Sequence, residues 1–412
     1  MTSVPPFEGC PATLVAAALG GGPNPGQLGI IAARPGLGKT LLLVHFGLER
    51  LVRGQRVLHV ALRDSVEHVR AHYDEALRAA VGAGLRDPAQ AAIHVERERM
   101  IHSWLDRSFD ATLLGRHLDM LAEVAQFRPT LLLIDGLEHG ADVAALAALA
   151  SARSLPIWLS IRAPESQLAP DLVAAAAAVV HLVPDGRNVA IHLSQLGQAS
   201  TVLPQTLDGT TLHVARGNSP ADPTGPLGPD HCLLFSGGAN GAEAAFGAAA
   251  ERWGIREVNF TFDGHKQVRS RGSHLLSPRE LAAGDVSLKY VSARLHRTYA
   301  NESGLIKKVL QTLWHMVSRS QQIFVIGQIQ EDGTVVGGTG WSVELARMWS
   351  REVWVFDQER LGWFRWDNGE WSPGQPAIHA RYLCGTGTRY LTPEGQAAID
   401  ALFDRTFRSA TR

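Results

Sequence analysis

The sequence predicts an α/β protein made of two doubly wound, mainly parallel three-layer domains. Three observations carry that expectation. Apolar runs of strand length alternate with longer segments of helical period, the order that builds a parallel sheet covered by helices on both faces. Glycine-rich loops follow apolar runs and open helices in both halves. A stretch rich in Pro, Gly and small polar residues, 216–230, has no apolar period and reads as a linker between a domain over 1–215 and another over 231–412.

In the first half, residues 28–32 read as a buried strand, and the helix after it carries Leu41, Leu42, Leu43 and Val44. Between them lies Ala33-Arg34-Pro35-Gly36-Leu37-Gly38-Lys39-Thr40, a P-loop in which Ala33 replaces the first glycine of the usual pattern. Successive backbone N–H groups of such a loop form an anion nest. The Lys39 ammonium reaches β- and γ-phosphates, and the Thr40 hydroxyl holds Mg²⁺. Residues 34–40 are therefore expected to bind ATP with Mg²⁺. The run Thr130-Leu131-Leu132-Leu133-Ile134-Asp135 has the form of a Walker B strand that delivers Asp135 to the metal edge. Further strands are expected over 57–62 and 155–160, and helices over 66–81 and 143–150. A hairpin is expected from 188–193 and 201–203, closed by an Asp208-Gly209 turn.

Composition narrows the function classes. Hydrophobic residues make up 45% and charged residues 19%, and the net charge of −1 gives no general drive toward nucleic acid or membrane. Arg34 is the first basic residue, so no charged leader is expected, and the longest apolar run, 172–180, is too short to span a bilayer. Cys10, Cys232 and Cys384 are far apart and odd in number, which gives neither a disulfide framework nor a CxxC site. A cytoplasmic protein without a membrane partner is the expectation. Nothing in the composition fixes an oligomeric state.

The second half holds three glycine loops, each after an apolar strand and before a helix. They run from Ser236, Gly237 and Gly238 to Gly241; over Gly337, Gly338 and Gly340; and over Gly385, Gly387 and Arg389. Strands are also expected over 258–262 and 353–357. In a parallel sheet all three loops emerge at the carboxyl edge, where helix N-termini face a common crevice suited to a phosphate or ribose phosphate. Residues 265–320 carry ten lysines and arginines, among them Arg294, Arg297, Lys307, Lys308 and Arg319, against three carboxylates. That balance suits an anionic ligand or a nucleic-acid strand, with a solvated helical face as the alternative. His265, His274, His296 and His315 lack metal-ligand spacing. Trp354, Trp363, Phe364, Trp366 and Trp371 alternate with polar residues, as aromatics covering a sheet edge do.

Over roughly residues 12–214 the sequence resembles the RecA-like ATPase core, especially the replicative helicase DnaB and the clock ATPase KaiC. The resemblance rests on residues 33–40, 57–65, Asp135 and the terminal hairpin. In that family the strand beside the P-loop ends in a glutamate that polarises the attacking water. Arg63 and Asp64 match that place, so the resemblance implies Asp64 as catalytic base and marks Arg63 as a departure. Ring motors of the family carry Lys and Arg on the hairpin, whereas residues 192–197 here carry neither, and Arg162 is a candidate substitute. An arginine finger contributes about 10³–10⁵ in rate, so a slow ATPase or nucleotide-gated switch is implied.

The second half resembles the SLOG superfamily, the Rossmann-like fold of DprA and the Lonely Guy phosphoribohydrolases. Residues 236–243 match its SGGA-x-GAD motif, and 337–344 its GG-x-GT-x-x-E motif with Trp341 in place of threonine. Residues 385–389 match the G-x-GSR loop that normally follows the first strand, which implies a circular permutation placing that strand and helix over 382–407. Glu344 falls at the catalytic glutamate's place, and Lys307, Lys308 and Arg319 are the candidates for the family's arginine. Three functions follow as expectations. The first is a signalling or defence ATPase whose SLOG domain binds a nucleotide-derived ligand. The second is a nucleoside-monophosphate phosphoribohydrolase. The third is a DNA-transaction ATPase that binds single strands, disfavoured by the neutral charge and the cation-free hairpin.

Overall fold

The apolar runs become the inner strands of two sheets. A computed structural model describes residues 6–104, 109–137, 142–163, 170–185, 188–195, 200–209, 211–215, 227–299, 304–367 and 369–408. The chain divides into two units, residues 1–221 and 222–412, each taken by itself below. Residues 216–226 of the expected linker lie outside the described residues; 227–230 lead into a 3₁₀ turn, Pro229–His231.

The first unit runs α1 (Pro11–Ala18), β1 (Leu28–Ala33), α2 (Lys39–Leu51), β2 (Val57–Ala61), α3 (Val66–Gly82), α4 (Pro88–Glu98), β3 (Arg99–Ser103), α5 (Ala111–Glu123), β4 (Leu131–Leu137) and α6 (Val143–Arg153). It continues with β5 (Ile157–Arg162), α7 (Pro170–Ala175), β6 (Ala178–Asp185), β7 (Asn188–Gln195), β8 (Thr201–Val202) and β9 (Leu207–Asp208). The sheet order is β3-β2-β4-β5-β1-β6-β7-β8, with β9 also on β7. Strands β3 through β6 in that order are parallel, and β7, β8 and β9 pair antiparallel. Alternate residues of the strands feed two cores. Ile31 and Leu133 face Phe46, Val69, Tyr73 and Val95 from α2, α3 and α4. Ile30 and Leu132 face Leu114, Leu118, Leu146 and Ala150 from α5 and α6. Ser65, Asp110 and Asp142 cap α3, α5 and α6 by accepting the backbone N–H three residues on, each worth about 1 kcal/mol.

The expected hairpin differs in its partner. Strand β7 pairs along its whole length with β6, and β8 adds only the pairs His192–Val202 and Leu193–Thr201. The β6 strand is hidden in the sequence because one alanine-rich run supplies both α7 and the start of β6, so no period marks the switch. Strand β3 is likewise masked: it is a half-buried edge carrying Arg99 and His102.

The second unit runs β10 (Leu233–Ser236), α8 (Ala242–Arg252), β11 (Arg256–Thr261), β12 (Ser273–Leu275), α9 (Pro278–Leu281), α10 (Asp285–Arg294), α11 (Leu305–Ser318) and β13 (Gln322–Gly327). It ends with α12 (Thr339–Met348), β14 (Glu352–Asp357), β15 (Gly362–Asp367), β16 (Glu370–Gly374), β17 (Tyr382–Gly387) and α13 (Pro393–Phe407). The order is β12-β11-β10-β17-β13-β14-β15-β16, parallel except for β15 and β16. Phe246, Ile399 and Phe403 of α8 and α13 cover one face through Leu234, Phe324 and Leu383. Leu288, Leu313, Met316 and Val343 of α10, α11 and α12 cover the other through Phe235, Val325 and Val355. Both units are α/β with mainly parallel sheets, compatible with RecA-like and Rossmann-like folds. No helix among the described residues is long and apolar enough to cross a membrane.

Candidate functional site

In the first unit the order β2-β4-β5-β1 sets four parallel strands side by side, so their carboxyl ends share one edge. The register places Ala33 opposite Arg162 and Ala61 opposite Asp135. The loop of residues 34–38 leaves β1 there. Arg34 and Pro35 are exposed, Leu37 is buried in the core, and Gly36 and Gly38 take φ of 78° and 85°. Gly38 is required twice over: its φ is left-handed, and a Cβ would lie 2.7 Å from Leu212 Cδ1. Helix α2 starts at Lys39 with Thr40 in its first turn. Lys39 Nζ donates to the carbonyls of Ala33 (3.1 Å) and Arg34 (2.9 Å). Burial lowers its pKa to about 8; Arg162 and Arg63 add to that and Asp135 opposes it.

Asp135 is 3% exposed, and its Oδ1 accepts the Ser160 hydroxyl of β5. Ser160 in turn accepts the Gly136 N–H at 2.9 Å. Asp135 Oδ2 is buried without a hydrogen-bond partner, an arrangement that costs free energy unless another group meets it. The Arg63 stem lies over Gly136: a Cβ there would stand 3.2 Å from Arg63 Cγ. Asp64 accepts from His68 Nδ1 at 2.6 Å. Burial alone would raise the Asp64 carboxyl, but the hydrogen bond and charge of His68, with His72 and His59, hold it below its ordinary value. Ser160 and His68 are partners the sequence reading missed. His68 stands four residues after Asp64 at a helix start, a legible spacing; Ser160 depends on strand register.

In the second unit β10, β17 and β13 are adjacent and parallel, which brings the three glycine loops to one edge. The loops lock onto one another. Ser236 Oγ donates to Gly385 O at 2.8 Å, and the Ala242 N–H donates to Thr388 O at 3.0 Å. Glu243 is buried, and burial raises its carboxyl pKa. It accepts from the Ala239 N–H (3.1 Å), the Thr386 hydroxyl (3.0 Å) and the Gly237 backbone. Gly238 O takes the N–H groups of Val268 and Arg269. A Cβ on Gly241 would meet Thr388 O at 2.5 Å. Thus Ser236, Gly238 and Gly241 meet neighbouring loops, while Gly237 packs on Glu243, Gly385 on Phe246 and Gly387 on Ile326 O. At Gly337 and Gly338 an added Cβ would meet nothing within 4 Å, so that turn faces open space. Gly340 packs under Val335 O, and Arg389 is exposed with its guanidinium 4.9 Å from the Tyr390 ring.

Glu344 is 4% exposed and ion-paired with Arg347, with Arg294 Nε 3.9 Å from its other oxygen. Arg347 lies 3.5 Å over the Trp366 ring and 5.1 Å from Trp371, and it donates to Gly333 O at 2.7 Å. Arg297 donates to Gly337 O at 2.5 Å. The expected arginine candidates stand elsewhere. Lys307 lies over Tyr299, Lys308 over Phe262, and Arg319 over Phe260. The cations beside Glu344 are instead Arg347 and Arg294. Trp354 and Trp363 are buried in the sheet extension, so the aromatics cover that edge. No protein-family model and no curated protein matches the chain.

Proposed function

We propose that this chain is a RecA-like ATP-binding protein, a slow ATPase or nucleotide-gated switch, joined to a SLOG-like unit that binds a nucleotide-derived ligand. The observation that carries the first part is the shared edge of the P-loop and Asp135, whose Oδ2 is buried without a partner. Thr40 and Asp135 suit Mg²⁺: a hydroxyl in the first turn of α2 and a carboxylate oxygen with open acceptor capacity. Thr40 and Asp135 would hold the ion, whose chemistry there would be to neutralise phosphate charge. Lys39, now held by two loop carbonyls, would exchange them for phosphate oxygens. A lowered Asp64 pKa reduces its driving force as a proton acceptor, which supports slow hydrolysis.

Calorimetric titration with ATP, with and without Mg²⁺, tests this reading. Lys39→Ala is expected to abolish detectable binding in a folded protein, and Asp135→Asn to remove the Mg²⁺-dependent part. Unchanged affinity in Lys39→Ala would overturn the assignment.

For the second unit, the open Gly337–Gly338 turn with Arg297 bonded to Gly337 O, and Arg294 near Glu344 on the helix that follows, supports anion binding. The engagement of Glu344 by Arg347 supports binding without base release. Titrating the full chain with nucleoside mono-, di- and triphosphates, cyclic nucleotides and ADP-ribose, in wild type and Lys39→Ala, separates this site from the first.

A further inference from the structure

We propose that residues 211–215, by which the chain leaves the first unit, form a strap coupled to the nucleotide loop. A filled loop fastens the strap, and the fastened strap holds the loop ready for phosphate. This inference rests on the reading of residues 34–40 as a nucleotide site.

Two contacts seat the strap on one face of α2. Leu212 is 1% exposed and lies against Gly38, where a Cβ would stand 2.7 Å from its Cδ1, 3.2 Å from its Cγ and 3.3 Å from its Cδ2. One residue earlier, Thr211 O accepts the His45 Nε2–H at 2.8 Å. Gly38 and His45 are about two helical turns apart and so share a face. The strap is also tied along its own backbone. The N–H groups of Leu212, Val214 and Ala215 donate to the carbonyls of Asp208, Gly9 and Thr206, each at 2.8 Å. Asp208 Oδ1 accepts the Thr211 N–H at 2.8 Å and the Thr211 hydroxyl at 3.1 Å. The backbone of Leu212 is a separate observation. Its φ of 53° is left-handed, a region that a bulky side chain enters only where its surroundings impose it. That conformation falls on the residue that reaches the nucleotide loop.

Gly38 is the point at which loop becomes helix. It takes φ of 85°, and Lys39 and Thr40 follow it at the start of α2. Lys39 Nζ is bonded to the carbonyls of Ala33 and Arg34. Phosphate takes over those donors and draws the loop amides toward itself, so the loop rearranges around Gly38 as it fills. A close-packed interior does not absorb such a change without a response from the neighbour, and the neighbour is Leu212. Seated, Leu212 restricts the loop to conformers that keep Gly38 in its observed place. With the strap unseated, phosphate must order the loop by itself. Nucleotide therefore binds the strapped form more tightly, and by linkage it fastens the strap by the same factor. From Ala215 the chain runs on through residues 216–226 to the second unit, so occupancy of the loop bears on the segment that joins the two.

Hydrogen exchange of the full chain, read by mass spectrometry with and without AMP-PNP and Mg²⁺, tests the coupling, and calorimetry reports binding in the same samples. Nucleotide is expected to slow exchange of the amides of residues 211–215 by about fivefold or more, the lower end of couplings between sites. Leu212→Ala is expected to weaken AMP-PNP binding by a similar factor and to abolish that protection. Exchange in α5 and α6 should stay as in wild type, which reports that the sheet is folded. Leu212→Met keeps the volume over Gly38 and is expected to hold both affinity and protection near wild type. If AMP-PNP binds and exchange of 211–215 does not change, the coupling is refuted and the nucleotide site stands. Wild-type affinity and protection in Leu212→Ala refute it equally. If the wild-type chain binds no nucleotide, the underlying reading falls and the coupling with it.

Discussion

Acid should loosen the first unit in part through His45. It lies on α2 at 0% exposure; its Nε2–H donates to Thr211 O at 2.8 Å, and its Nδ1 has no hydrogen-bond partner. The rings of His213 and Phe7 stand 5.2 and 6.4 Å away. Protonation would create a second N–H with nothing to accept it, beside another imidazole. Burial, reinforced by His213, therefore lowers the His45 pKa to about 3 from an ordinary value of 6.5. Because the folded value is the lower one, the unfolded chain takes up the proton first as pH falls. The stabilisation is fully present above about pH 6.5 and is lost progressively toward pH 3. Each pH step in that window costs about 1.4 kcal/mol, so about 2 kcal/mol is gone at pH 5. His45→Gln keeps a donor for Thr211 and cannot titrate. Denaturant-dependent hydrogen exchange of α2 amides, read for wild type and variant at matched pH, isolates the effect. The stability difference between them is expected to shift by about 2 kcal/mol between pH 7 and pH 5, against wild type. A difference that stays constant over that range would refute the argument.

Gly387→Ala should destabilise the second unit by about 2 kcal/mol or more, since φ is 152° and a Cβ would overlap Ile326 O; an unchanged midpoint for that unit would count against the loop packing. ATP turnover is expected below about 1 s⁻¹, under the usual enzyme range, and processive unwinding of a forked duplex would contradict it. Glu344→Gln should leave nucleotide binding to the second unit nearly unchanged, and wild type should release no base from nucleoside monophosphates, as chromatography of the products would show. Measured base release abolished by Glu344→Gln would instead favour the phosphoribohydrolase reading.

Much of the fold was legible because parallel strands buried on both faces leave unbroken apolar runs, as at residues 28–32 and 131–134. Common placement of the three glycine loops was legible too, since each follows a strand of one parallel sheet. What each loop residue does was not. Ser236, Gly241 and Gly387 meet partners about 60 to 150 positions away, and only the side-by-side order of β10, β17 and β13 brings those partners near. The pairing of Glu344 with Arg347 has helical spacing, but the stacking of Arg347 on Trp366 and Trp371 needs the β15–β16 hairpin folded back beside α12. Strand β6 escaped because a helix and a strand share one alanine-rich run, where side-chain size carries no period.

The central position of β17 has a consequence for how the second unit comes to be folded. Every other described strand of that sheet precedes β17 in sequence, yet among the described residues β17 alone joins β10 to β13, and its closing bond from Ser236 to Gly385 spans 149 positions. Until β17 arrives, the growing chain holds two half-sheets, each with a bare inner edge of unpaired N–H and C=O groups. Closure of such distant contacts is slow, and the exposed edges can pair with other chains while they wait. A chain stopped before residue 382 would keep both open edges indefinitely. Its expected fate is strand-to-strand aggregation, a liability of synthesis order that the finished molecule conceals.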